Sequence, residues 1–180
     1  MSAGRCVLRC GRGYRHGVHD EELARVLGDP VAQRLLDSPL LARLAYNGPG
    51  GAPRVVPIGY LWTGAKFVTC TATEAPKVRS LERDPRVALT IDTDAFPPDV
   101  LLVRGVASVE LVEGVPDEYL AASHKAIPEA QWSQFEDQVR SLYPAMARIS
   151  ITPQWAKVLD FETRVPTALE RLVSGQRPTR

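Results

Sequence analysis

The chain has 180 residues, 44% of them apolar and 24% charged, and a formal net charge of +1. That is long enough for one domain with a real core. The near-neutral charge gives no bulk attraction to nucleic acid or an anionic membrane, and no apolar run approaches the ~18 residues of a spanning helix.

The first segment, residues 1–19, is rich in Arg, Gly and Cys and lacks the apolar core of a secretory signal. It reads as a disordered extension. Cys6, Cys10, His16 and His19 are ligand types for zinc, but their spacing is compact and the segment offers little local support, so no metal site is assigned. Together with Cys70 the cysteines make no disulfide framework. A cytoplasmic, reducing compartment is the expectation.

From Asp20 to Asp37, Leu23, Val26, Leu27, Val31, Leu35 and Leu36 recur at helical spacing. Pro30 is expected to divide this segment into two helices. A short strand follows near residues 40–46, then the turn Asn47-Gly48-Pro49-Gly50-Gly51. Strands are expected over 54–62 and 65–71, joined by a hairpin turn at Thr63-Gly64-Ala65. Pro57 makes the first of these an edge or bulged strand. A short helix spans 76–84, ending before Pro85. Strands follow at 86–92 and 100–112, separated by Ala95-Phe96-Pro97-Pro98-Asp99. Two helices split at Ile127-Pro128 fill 117–146, and two closing strands cover 148–152 and 155–161. The stretch from 20 to 165 reads as the folded domain and 166–180 as a tail. Short strands joined by turns indicate a small antiparallel barrel rather than a parallel doubly wound sheet. Dinucleotide-binding, P-loop, zinc-protease and serine-hydrolase motifs are absent.

The segment from Gly51 to Asp94 carries the functional signal. It places strand backbone, threonine hydroxyls and the cations Arg54 and Lys77 where they can converge on one anion. Lys77 in the first turn of a helix is mildly unfavourable against the helix dipole, and a phosphate at that end removes the conflict. The alternative is a solvated lysine. Arg54 is otherwise a strand-edge cation paired with a carboxylate. Thr69, Thr71 and Thr73 alternate onto one sheet face if the strand runs that far. Cys70 falls on the opposite face and reads as a small core filler. Tyr60 and Trp62 suit either the barrel core or a cofactor-facing surface. Arg79 and Arg83 read as a solvated helix face, and His124 as a structural or solvated histidine.

Five pieces in order, Pro53-Arg54-Val55-Val56-Pro57, Thr69-Cys70-Thr71, Pro76-Lys77-Val78-Arg79-Ser80-Leu81, Asp84-Pro85-Arg86-Val87-Ala88-Leu89-Thr90 and Val103-Arg104-Gly105-Val106-Ala107, resemble the pyridoxamine 5′-phosphate oxidase-like flavin-binding split barrels. Pro153-Gln154-Trp155 fits as well. The resemblance implies a mainly β fold with flanking helices, a split barrel of six or seven antiparallel strands with Greek-key connections. It implies a homodimer binding FMN at the subunit interface, with a small-molecule substrate and hydride or electron transfer as the activity. A deazaflavin coenzyme, or a non-catalytic flavin- or haem-binding role, is the alternative. It assigns Arg54 and Lys77 to the cofactor phosphate and Val55, Val56 and Pro57 to the isoalloxazine edge. Cys70 and Thr71 fall at the ribityl-phosphate end, and Ala75 and Pro76 in the turn before the lysine. By the same analogy Arg104 and Trp155 lie near the cofactor. Catalytic residues are not assigned. Ala75, Pro76 and Gly59 stand where the vitamin oxidase carries polar or cationic groups, which implies a different substrate.

Overall fold

The computed structural model describes the backbone of residues 15–161 and side chains from Asp20 to Phe161. The stretches 1–14 and 162–180, and with them Cys6, Cys10 and the expected tail, lie outside the described residues, as do the side chains of His16 and His19. The helices are α1 (Arg15–Leu27), α2 (Pro30–Asp37), α3 (Pro76–Arg83), α4 (Asp117–His124) and α5 (Glu129–Leu142). The strands are β1 (Ala42–Asn47), β2 (Pro53–Ile58), β3 (Leu61–Trp62), β4 (Phe67–Ala72), β5 (Arg86–Asp92), β6 (Val100–Glu113) and β7 (Ala145–Leu159).

Local sequence explains most boundaries. Asp29 caps α2, accepting the Val31 N–H through its carboxylate at 2.9 Å, and Pro30 occupies the first helical position, where its missing N–H costs nothing. This is why the helical pattern divides there. Gly64, at φ +86°, supplies the left-handed residue of the β3–β4 turn, where the Thr63 N–H donates to the Lys66 carbonyl.

The seven strands form one antiparallel sheet in the order β2-β1-β5-β6-β7-β4-β3. The stretch expected as one strand over 54–62 is two strands. β2 pairs with β1, β3 pairs with β4, and they sit at opposite edges of the sheet. Six gaps of about 4.8 Å would hold the edges of a flat sheet roughly 29 Å apart. The link from Ile58 to Leu61 spans at most about 11 Å. The sheet must therefore curl until its edges approach. β2 and β3 do not pair with each other, so the barrel stays split rather than closing. Pro57 lies on an edge strand, as its missing N–H requires.

Two cores result. Inward residues of the curled sheet, among them Leu44, Phe67, Leu89, Leu101, Val103, Ile149 and Ile151, pack with Leu35 and Leu36 of α2. A smaller core of Val115, Leu120, Val139 and Met146 lies under α4 and α5, with Cys70 against it. Tyr60 belongs to the first core, its hydroxyl donating to the Leu35 carbonyl at 3.0 Å, and Trp62 packs on Phe67. The core alternative for this pair is the one the structure adopts.

The closing strands expected at 148–152 and 155–161 are one strand, β7, which also takes in Met146, expected at the end of a helix. The Pro153-Gln154 step is absorbed as a bulge: Arg104 pairs with Trp155 and Gly105 with Pro153, leaving Gln154 as the additional residue. In consequence two consecutive side chains, Gln154 and Trp155, are exposed where strict alternation would bury one.

Candidate functional site

The outer face of the sheet carries a groove of about 440 Å³ built from β1, β2, β5, β6 and β7. That volume lies within the range of small-molecule sites. Ala45, Val55 and Ala88 give it an apolar floor, and Asn47, Arg54, Arg86, Arg104 and Gln154 supply polar groups. Alternation explains the set. Leu44 and Tyr46 of β1 are buried in the core, so Ala45 and Asn47 face outward; Val87 and Leu89 of β5 are likewise buried, so Arg86 and Ala88 face outward.

The three arginines differ in their electrostatic state. Arg86 donates to both oxygens of Asp84, at 2.8 and 2.7 Å. These bonds, with a further one from Asn47, hold the Asp84 carboxyl well below the usual carboxylate range. The charge of Arg86 is thus already matched. Arg54 folds back over the glycine turn: a Cβ on Gly48 would meet Arg54 Nε at 2.6 Å, so with any other residue there the flexible arginine would have to swing aside. Arg104 lies 4.5 Å from the centroid of the Trp155 ring. Among the described residues, neither Arg54 nor Arg104 has a carboxylate within ion-pair distance.

Lys77 sits in the first turn of α3. Burial pushes its ammonium below the ordinary lysine value, and no carboxylate among the described residues pairs with it. Ala75, the residue ahead of the helix, offers no side-chain cap, and no acidic residue occupies the first turn. A half-desolvated cation therefore stands beside uncapped backbone N–H groups. Both features call for an anion.

Of the residues expected at the site, Arg54 and Val55 line the groove; Val56, Pro57, Cys70, Thr71, Ala75, Pro76 and Lys77 do not. Val56 turns toward the core, and Cys70 packs under α4 and α5. Burial pushes the Cys70 thiol up to about 11, with Glu118 adding to the effect and Arg148 opposing it, so it is a neutral filler at ordinary pH. Thr69 is buried and Thr71 half-buried, while Thr73 has left the strand and lies in the turn before α3. Arg79 pairs with exposed Glu74, and His124 contacts Glu129 and the edge of Trp132, so both serve the surface. Sequence reasoning gave no site role to Asn47, Arg86 and Gln154. Arg86 is legible from strand alternation, whereas Gln154 reaches the groove through the bulge beside Pro153, a residue that in sequence reads as a break between two strands.

An unclosed antiparallel barrel with its two edges joined by a short link, flanked by helices and bearing cationic groups on its outer face, is a split barrel. The chain belongs to the pyridoxamine 5′-phosphate oxidase family, whose model matches residues 29–159. Similar solved structures include an "F420 Reductase" at 21% identity, covering 69% of this chain and 94% of that one with a TM-score of 0.50. General Stress Protein 26 from Bacillus anthracis is 15% identical, with 72% and 92% covered and a TM-score of 0.53. The haem storage protein HutZ from Vibrio cholerae is 18% identical, with 72% and 93% covered and a TM-score of 0.53. At these identities the likeness is one of fold. No curated protein matches the sequence. Among the described residues no helix is long and apolar enough to cross a membrane, and no cluster of His, Cys, Asp and Glu forms a metal site.

Proposed function

We propose that this protein binds FMN and works as a flavin-dependent oxidoreductase on a small organic substrate. The observation that carries the reading is Lys77: a half-desolvated cation, without a carboxylate partner among the described residues, at the uncapped start of α3, in a family whose fold the chain shares. Charge-assisted contacts from lysine and arginine to phosphate are strong, and the helix start adds backbone donors. Arg54, on edge strand β2 and likewise without a carboxylate partner among the described residues, is the second phosphate or flavin contact. Ala75, Pro76 and Thr71 would flank the phosphate end, and Val55, Val56 and Pro57 the ring edge. A bound flavin would supply the hydride or electron transfer, while the protein supplies orientation and electrostatics.

The same cations suit the phosphate of a deazaflavin coenzyme, and the same fold suits a non-catalytic flavin- or haem-binding role. The family resemblance further supports a homodimer formed on the outer sheet face, where Val55 and Trp155 are exposed.

The test is the absorbance spectrum and mass of the copurifying small molecule, followed by titration of FMN into the stripped protein. Lys77→Ala and Arg54→Ala are each expected to weaken FMN binding about ten- to a hundredfold. Unchanged affinity in both variants sinks the site assignment. Uptake of the deazaflavin but not FMN moves the cofactor, and a bound flavin that no donor and acceptor pair can cycle removes the enzymatic reading.

A further inference from the structure

We propose that the bulge at Arg104, Gln154 and Trp155 is a second anion-binding subsite, distinct from Lys77 and in the groove that Arg54 also lines, which takes the carboxylate or phosphate group of a small, partly apolar substrate. The inference rests on the redox reading only in calling the bound molecule a substrate.

Arg104 is exposed on β6 and lies over the Trp155 ring at 4.5 Å. This stacking restrains the guanidinium without neutralising it. Among the described residues no carboxylate pairs with Arg104, although the nearby Arg86 is fully engaged by Asp84. The bulge puts Gln154 into the same groove, so a fork of donors and an amide face one space. Bulges commonly re-aim side chains next to sites in this way.

The groove has room for more than the anionic head. About 440 Å³ with an apolar floor of Ala45, Val55 and Ala88 accommodates a ring or short chain beside it. Lys77 is not among the residues that line this groove, whereas Arg54 is, so the subsite is distinct from Lys77 and adjoins Arg54. Phosphate and carboxylate share the chemistry Arg104 recognises, a planar or tetrahedral group of anionic oxygens that accepts two N–H bonds.

The experiment uses the full chain as purified, with benzoate, phenyl phosphate and neutral benzyl alcohol as probes, read by tryptophan fluorescence and calorimetry. At least one anion is expected to bind saturably and perturb Trp155, and benzyl alcohol is not. Arg104→Gln should weaken the anion about ten- to a hundredfold, with Arg104→Lys falling between because it keeps charge but loses the fork. A circular dichroism melt identifies any variant that fails to fold, and the lysine variant then carries the comparison. No anion binding by the wild type, equal binding of benzyl alcohol, or unchanged affinity in Arg104→Gln overturns the subsite. FMN titration in parallel separates the two readings. Anion binding without FMN binding leaves the subsite standing and removes the flavin reading. FMN binding without anion binding does the reverse. If Lys77→Ala weakens the benzoate probe as much as Arg104→Gln does, there is one anion site and the proposal fails.

Discussion

Gly105 on β6 faces the backbone carbonyl of Thr152 on β7 so closely that a Cβ there would lie 2.5 Å from the oxygen. The approach occurs beside the Gln154 bulge. Because the obstructing atom belongs to the backbone of a long central strand, it has little freedom to move aside. Gly105→Ala is therefore expected to destabilise the fold by about 1–3 kcal/mol, as overpacking does. Urea denaturation measures it; a change under ~0.5 kcal/mol would mean the bulge relaxes freely.

Lys125 joins the two helical layers. Its ammonium donates to the Leu36 carbonyl near the end of α2 at 2.8 Å and lies 5.1 Å from the centroid of the Tyr60 ring. A cation at a helix C-terminus is favoured by the dipole and satisfies a carbonyl that has lost its helical partner. Lys125→Met keeps the apolar stem and removes the charge. It is expected to cost about 1–2 kcal/mol, measured as a lowered denaturation midpoint with an unchanged slope. A neutral result would show that solvent replaces the contact.

Cys70 gives the fold a specific alkaline weakness. Its thiol is raised from 9.0 to about 11, chiefly by burial. Below pH 9 the thiol is neutral in the folded and unfolded chains alike, and its contribution is fully present. Above pH 9 the unfolded chain ionises first, so stability falls as pH rises toward 11. With partial exposure allowed for, the loss is about 1–2 kcal/mol. Comparing urea midpoints at pH 8 and 10.5 for wild type and Cys70→Val isolates it, since the variant should lack that part of the decline. The thiol of the folded protein should also resist iodoacetamide at pH 8; rapid alkylation there would contradict a neutral filler.

Val55, at 64% exposure, is a large apolar side chain on an edge strand. It forms part of the groove floor on the face proposed to meet a second copy. Val55→Glu points into solvent in the single chain and should leave its secondary structure by circular dichroism unchanged. In sedimentation it should convert a dimer to a monomer. A wild-type protein that sediments as a monomer, or a variant that remains dimeric, rules out this face.

Much of the architecture was open to sequence reasoning. Pro30, Pro85 and the Thr63-Gly64-Ala65 turn act through backbone geometry, and each produced the local break expected of it, while Pro57 lies on an edge strand as expected. Alternation in β5 and helical spacing in α2 named the buried faces, because a side chain's direction along an element follows from position alone. Ordered short motifs carried the family. Other features were not legible because they depend on partners far away in the chain. The separation of β2 from β3 to opposite sheet edges is decided by which strands they pair with. The continuity of β7 through Pro153 depends on β6 supplying a glycine opposite it.

The candidate site divides along the same line. By itself, the sequence determined that Arg54 and Lys77 are cations on elements suited to an anion, and that Cys70 faces away from Thr69 and Thr71, since these follow from residue chemistry and local periodicity. Only the tertiary structure decided that Lys77 is half-desolvated and has no carboxylate partner among the described residues, that Asp84 takes the charge of Arg86, and that Arg104 and Gln154 share a groove with Arg54. Burial, ion pairing and the bulge arise when the sheet curls and brings distant strands into register, and no local stretch of chain encodes that convergence.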